Sequence, residues 1–165
     1  MKRRQTIDVR RPLIVGLLAF TLCLSARAQS ADYNISCGGQ GKDGAYLVRV
    51  ETVVKKVALG EDELKRCAVH GVLFRGFTGD ASGCTSHKPL LRDGSAETTH
   101  AEFFAEFFAD GGPYTRFVST VEASFQSVKL KKKRYEVSAL MLVDKEALLH
   151  ALEDAGVVKG FSDLW

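Results

Sequence analysis

Two short motifs contain residue types that can do chemistry, and both have the same spacing. Cys67-Ala-Val-His70 and Cys84-Thr-Ser-His87 each place a histidine three residues after a cysteine. Thiolate sulfur and imidazole nitrogen are common zinc ligands, and residues three apart on a helix lie on the same side of it. One hypothesis is therefore a zinc-binding protein, or a metal- or thiol-dependent enzyme, centred on Cys67, His70, Cys84 and His87.

The N-terminus predicts a compartment in which thiols are more often oxidised than bound to metal. Residues 1–28 combine a basic start, an apolar run over residues 13–24 and the triplet Ala26-Arg27-Ala28, a pattern typical of a secretory signal peptide. The run is shorter than the roughly 20 residues that a membrane-spanning helix needs. We therefore predict cleavage after Ala28, export to the periplasm or beyond, and no transmembrane anchor after processing.

Cleavage would change the electrostatic character of the chain. The whole sequence has a formal net charge of +3, but residues 1–28 hold six of its 23 basic residues and one of its 20 acidic ones, so the mature chain carries about −2. A basic cluster over residues 129–134 is typical of a solvated turn. These charges do not favour nucleic acid as a partner.

Three cysteines remain after residue 28, namely Cys37, Cys67 and Cys84. An oxidising compartment favours pairing, and an odd number leaves one thiol over. Cys84 lies in a long connection, so it can meet either Cys37 or Cys67. The sequence leaves both pairings open.

Hydrophobic periodicity predicts the elements that position these residues. Period two indicates strands near residues 45–57, 121–130 and 135–143, the second with a bulge near Gln126 and Ser127. Helical periodicity indicates helices over residues 61–75, 95–109 and 145–155, the last capped by Asp144. We expect one α+β domain over residues 45–165, preceded by a flexible leader at 29–44. The expected order is β-α-α-β-β-α, with two layers: a three-stranded, mainly antiparallel sheet and helices on one of its faces.

The connection over residues 77–94 is long for a small domain, and such connections are usually functional or mobile. We predict it as the contact surface. Its candidate binding residues are Phe77, Asp80, His87, Lys88 and Arg92. Because the sequence has no phosphate-binding glycine motif, it predicts no nucleotide cofactor, and we expect no cofactor of any kind.

Three segments resemble a group of small exported proteins of gut Bacteroidota that have no known activity. These segments are AVHGVLFRGF at residues 68–77, FFADGG at 107–112 and EDAGVVKG at 153–160. The resemblance covers most of the mature domain and implies an envelope or extracellular location. It implies no functional residues.

The sequence therefore favours an exported, non-enzymatic binding or assembly module of the bacterial cell envelope. Its expected partner is an envelope protein or glycan. The alternative is the metal- or thiol-dependent enzyme or zinc-binding protein described above.

Overall fold

The structure, a computed structural model, describes residues 32–79 and 84–158 of the 165-residue chain. The predicted signal peptide at residues 1–28, the candidate binding residue Asp80 and the tail after Val158 lie outside the described residues.

The fold is an α+β mixture built on an antiparallel sheet, as predicted, but the sheet has five strands rather than three. The strands are β1 (Tyr33–Cys37), β2 (Ala45–Val54), β3 (Val118–Thr120), β4 (Gln126–Lys129) and β5 (Tyr135–Asp144). They are arranged as β1-β2-β5-β3, and β4 also pairs with β5. Every pairing is antiparallel. The central strand β5 therefore has β2 along one edge, with β3 and β4 in succession along the other.

The additional first strand lies in the segment that we expected to be a flexible leader. Tyr33 and Ile35 of β1 are buried and Asn34 between them is exposed, which is the alternation of a half-buried strand. The glycines at residues 38–44 had suggested flexibility, but they form the turn into β2. Gly44 has a φ of +77°, which residues with a Cβ rarely adopt.

The other additional strand arises because the expected second strand is interrupted. Val118–Thr120 and Gln126–Lys129 are separate strands, so the irregularity is a turn over residues 121–125 and not a bulge at Gln126 and Ser127. Ala123 has a φ of +56° in this turn. The Leu140 amide donates to Ser124 Oγ over 3.1 Å, which keeps the turn tied to β5.

The helices are α1 (Gly60–His70), α2 (Ala96–Thr99), α3 (Ala101–Phe107) and α4 (Lys145–Asp154). The helix predicted over residues 95–109 is broken at His100, whose ψ of +36° is not helical. The predicted cap of α4 is confirmed, since the Ala147 amide donates to the Asp144 carboxylate over 2.9 Å. Instead of the expected β-α-α-β-β-α, the order of these strands and helices is β-β-α-α-α-β-β-β-α.

One face of the sheet carries the hydrophobic core. Alternate residues of β2 and β5 are fully buried there, and α1 contributes Leu64, Ala68 and Val69 to the same cluster. Phe104 and Phe107 of α3 are also buried in it. The sheet residues concerned are Val48, Val50, Val137, Ala139, Met141 and Val143. Burying a side chain of this size contributes roughly 1.5–3 kcal/mol.

Within residues 32–79 and 84–158, no helix has the length and apolar character needed to cross a membrane.

The burial of β1 predicts the effect of two neighbouring substitutions. Ile35→Ala should lower the free energy of unfolding by about 2–4 kcal/mol, because the side chain is 9% exposed and packs in the core. Asn34→Ala is the matched control and should change it by less than about 0.5 kcal/mol, because Asn34 faces solvent. Urea denaturation measures both values. Equal, small effects would mean that residues 33–37 behave as a flexible leader after all.

Candidate functional site

Residues 84–92 form the wall of the candidate site, and they are anchored at their start to β1. A Cys37–Cys84 disulfide joins the end of β1 to this segment. Phe77 and His87 exchange two backbone hydrogen bonds of 2.9 Å, and the Cys37 amide donates to the Thr78 carbonyl over 2.8 Å. The pairing of Cys37 with Cys84 is one of the two that the sequence left open.

The same segment is anchored further along to the end of the first helix. α1 continues into a π-helical turn, Gly71–Arg75, and the amides of Leu90 and Leu91 donate to the carbonyls of Val72 and Leu73. Leu91 is buried. Gly76, with φ at +70°, allows the close approach, because a Cβ there would collide with the His87 carbonyl oxygen. The segment is thus held at both ends although it belongs to no helix or strand.

A cavity of about 290 Å³ opens beside this segment. Residues 86–90 and Arg92 line it together with Tyr46 of β2 and the first two turns of α4. The residues contributed by α4 are Lys145, Glu146 and Leu149. Two neighbouring cavities also contact His87, so this histidine lies at the centre of a concave region.

Aromatic packing sets the position of His87. Its ring centroid lies 4.6 Å from that of Tyr46 and 5.1 Å from that of Phe77. The Lys145 ammonium lies 5.4 Å from the Tyr46 ring centroid, a favourable cation–π geometry. Burial raises the pKa of the Tyr46 hydroxyl, so this group is a neutral hydrogen-bonding group at physiological pH.

The charges around the cavity are mainly positive. Lys88, Arg92 and Lys145 line it, against the single carboxylate of Glu146. Among the described residues, no carboxylate forms an ion pair with any of the three cations. The arrangement can therefore attract an anion without first breaking an ion pair in that part of the chain.

The predicted binding residues come together in part. His87, Lys88 and Arg92 line the main cavity, Phe77 packs against His87 and lines the two neighbouring cavities, and Asp80 is outside the described residues. Sequence reasoning missed Tyr46 and Lys145. Both belong to elements that were predicted, but only the tertiary fold brings them to the loop, and no local spacing indicates that contact.

The four residues of the hypothetical metal site do not form a common cluster. Cys84 is bonded to Cys37, so its sulfur is not a thiolate. Cys67 is 3% exposed and free, and burial raises the pKa of its thiol to about 12. Within the part of the chain that the structure describes, no group of three or more His, Cys, Asp or Glu residues could hold a metal ion.

His70 instead belongs to a partly buried hydrogen-bonded network. Its Nε2 lies 3.2 Å from Glu97 Oε1, and its Nδ1 lies 2.6 Å from the Tyr33 hydroxyl oxygen. An ionised carboxylate only accepts, so Nε2 carries the proton and neutral Nδ1 accepts from Tyr33. Burial lowers the pKa of His70 and raises that of Tyr33. These two hydrogen bonds therefore link β1, α1 and α2 through neutral Tyr33 and His70. They do not create an activated nucleophile.

Comparison with known proteins adds no relative: no family model, no curated protein and no solved structure matches this chain.

The cysteine arrangement predicts a thiol titration. In protein that begins after Ala28, we expect no thiol to react in the native oxidised state, and unfolding without reductant should expose one, Cys67. Reduction should lower the free energy of unfolding by roughly 4 kcal/mol, because the disulfide closes a loop with a sequence separation of 47. Ellman's reagent and urea denaturation measure these quantities. A reactive native thiol would contradict the assignment, as would three reactive thiols after unfolding without reductant.

The hydrogen bonds of His70 with Tyr33 and Glu97 predict a pH dependence of stability. The pKa of His70 is lower in the folded state than its ordinary value of about 6.5, so the unfolded state binds more protons as the pH falls. The free energy of unfolding should therefore be fully retained above about pH 7 and decrease as the pH drops through about 6.5. His70→Gln should show a shallower decrease between pH 7.5 and 5, with the exposed His150→Gln as the control. Identical profiles for His70→Gln and the unmodified protein would contradict the assignment.

Proposed function

We propose that the protein is an exported, non-enzymatic binding or assembly module of the bacterial cell envelope. Its contact surface is the cavity beside residues 84–92. One observation carries the proposal: an anchored, concave site presents Lys88, Arg92 and Lys145 without an ion-pair partner among the described residues. Charges left unpaired in a rigid cleft favour capture of an oppositely charged partner.

Export to the periplasm or the extracellular space is supported by two independent features. Residues 1–28 have the pattern of a secretory signal peptide. The disulfide between Cys37 and Cys84 is a bond that persists mainly in oxidising compartments. The resemblance to small exported proteins of Bacteroidota agrees with this location.

A binding role fits the cavity better than catalysis. Ser86 is the neutral hydroxyl closest in sequence to His87, but the hydrogen bond that its oxygen makes within the described residues is with the Gly79 amide, over 2.7 Å, and not with the His87 ring. Cys84 is bonded to Cys37 in the disulfide, so it has no free thiol. Nucleophilic catalysis needs a nucleophile activated by an adjacent base, and neither side chain offers that arrangement. An envelope protein or glycan with an acidic group is the kind of partner that the cations would hold.

The basic turn between β4 and β5 is the competing contact surface, and it provides a matched control. Lys129 and Lys131 are exposed, as are Lys88 and Arg92. Replacing two basic residues by glutamate changes the net charge by the same amount at either location. If the cavity is the contact surface, only the charge reversal at the cavity should reduce capture of the partner.

We predict that Lys88→Glu/Arg92→Glu reduces partner capture from envelope extract at least tenfold, because two attractive charges become repulsive. Lys129→Glu/Lys131→Glu should retain capture within about twofold. Quantitative pull-down measures both, and circular dichroism checks that each variant keeps the fold. Equal losses in the two variants would indicate a general charge effect, and full retention in the first would exclude the cavity as the contact surface.

Localisation can be tested separately. Cell fractionation and N-terminal sequencing should find the protein outside the cytoplasm, beginning at Gln29. A cytoplasmic product that begins at Met1 would overturn the export part of the proposal.

A further inference from the structure

The geometry points to a ligand class: we propose that the cavity binds the free C-terminal carboxylate of a peptide or protein that ends in a branched aliphatic residue. This inference rests on the proposed binding function and makes it specific. It requires a set of cations for the carboxylate, an apolar surface for the last side chain, and room for one residue. The cavity provides all three.

The cations come from two separate parts of the chain. Lys88 and Arg92 belong to the anchored segment, and Lys145 is the first residue of α4. A carboxylate in the cavity would therefore meet positive charge from two different elements. Arg92 can supply two parallel N–H donors, a geometry that matches the two oxygens of a carboxylate. Residues 29–165 are slightly acidic overall, so the positive charge at the cavity is a local feature, as it is in the basic turn at residues 129–134.

The remaining wall is apolar and small. Pro89, Leu90 and Leu149 line the cavity together with the ring of Tyr46. Its volume of about 290 Å³ lies at the lower end of the range for small-ligand sites. One residue with a branched aliphatic side chain fits such a space, whereas several residues of an extended polymer do not.

The neutral polar side chains argue for a peptide terminus over an acidic sugar. A sugar acid carries hydroxyl groups on most ring carbons, and each loses water on entering a cavity. The neutral hydroxyls of the lining are those of Ser86 and Tyr46, and Ser86 Oγ already accepts from the Gly79 amide, so two hydroxyl groups would serve a ring that carries several. An aliphatic side chain has no polar group that needs a hydrogen-bond partner in the cavity.

Glu146 adds a specificity element. Its carboxylate lies against Gly44, where an added Cβ would be 2.8 Å from it, and its amide donates to the Gly44 carbonyl over 3.2 Å. The same residue lines the cavity. A second carboxylate on the ligand would meet this negative charge, so a peptide ending in leucine should bind better than one ending in aspartate.

The test uses four defined probes with the purified protein. They are acetyl-Gly-Gly-Leu with a free carboxylate, the same peptide as its C-terminal amide, acetyl-Gly-Gly-Asp, and tri-galacturonic acid. Isothermal titration calorimetry or ligand-detected NMR gives the Kd of each. We expect the free acid to bind at least tenfold more tightly than the amide, and more tightly than the aspartate peptide or the sugar acid.

Two variants locate the site. Arg92→Gln and Lys88→Gln should each weaken binding of the leucine peptide at least fivefold, and Lys131→Gln in the basic turn should leave it unchanged. Equal binding of acid and amide would overturn the inference, as would tighter binding of tri-galacturonic acid, which would indicate a glycan ligand. If no peptide binds while the cavity-dependent capture from envelope extract persists, the inference fails and the proposed function stands. If capture also fails, both are wrong.

Discussion

The anchoring of residues 84–92 is the constraint on which the candidate site depends. Fixing the backbone of one residue costs roughly 1–2 kcal/mol in conformational entropy. This segment belongs to no helix or strand whose regular hydrogen bonds would offset that cost. The Cys37–Cys84 disulfide reduces that cost by restricting the unfolded chain, and the hydrogen bonds of His87, Leu90 and Leu91 give the segment partners within the fold. A cavity with a preorganised wall results, which is what binding with little loss of entropy requires.

β1 connects this site to the rest of the molecule. Its last residue, Cys37, is bonded to Cys84 at the start of residues 84–92, and its first residue, Tyr33, donates to His70 at the end of α1. The guanidinium of Arg75 lies 4.1 Å above the Tyr33 ring, and one of its nitrogens donates to the Tyr33 carbonyl over 3.3 Å. Arg75 therefore covers part of an edge strand that would otherwise expose a backbone acceptor. A five-residue strand thus carries the attachment of both the π-helical turn and the loop.

Sequence periodicity predicted the elements that have long, regular patterns, and it failed where the pattern is short. The period of two in β5 and the stripe of α4 extend over ten residues each, so their existence and limits could be predicted closely. β1 has only two inward residues, Tyr33 and Ile35, and the glycines that follow obscured them. The break at His100 was missed because Ala96 before it and the phenylalanines after it continue a helical stripe across a residue with non-helical backbone angles.

The two Cys-x-x-His motifs show why spacing alone does not define a site. Cys67 and His70 share a helix, but burial holds the first as a protonated thiol and the Tyr33 and Glu97 hydrogen bonds occupy both nitrogens of the second. Cys84 and His87 lie in an anchored loop, where one is oxidised and the other is packed between Tyr46 and Phe77. The same local pattern therefore has a structural role in one place and borders the candidate site in the other. The difference comes from the tertiary partners of each motif, β1 and α2 for the first and β1, β2 and α4 for the second, and these partners are distant in sequence. The chemistry available to a histidine in this fold is set by what packs against its ring, and for His87 the packing leaves a concave, cationic surface open beside it.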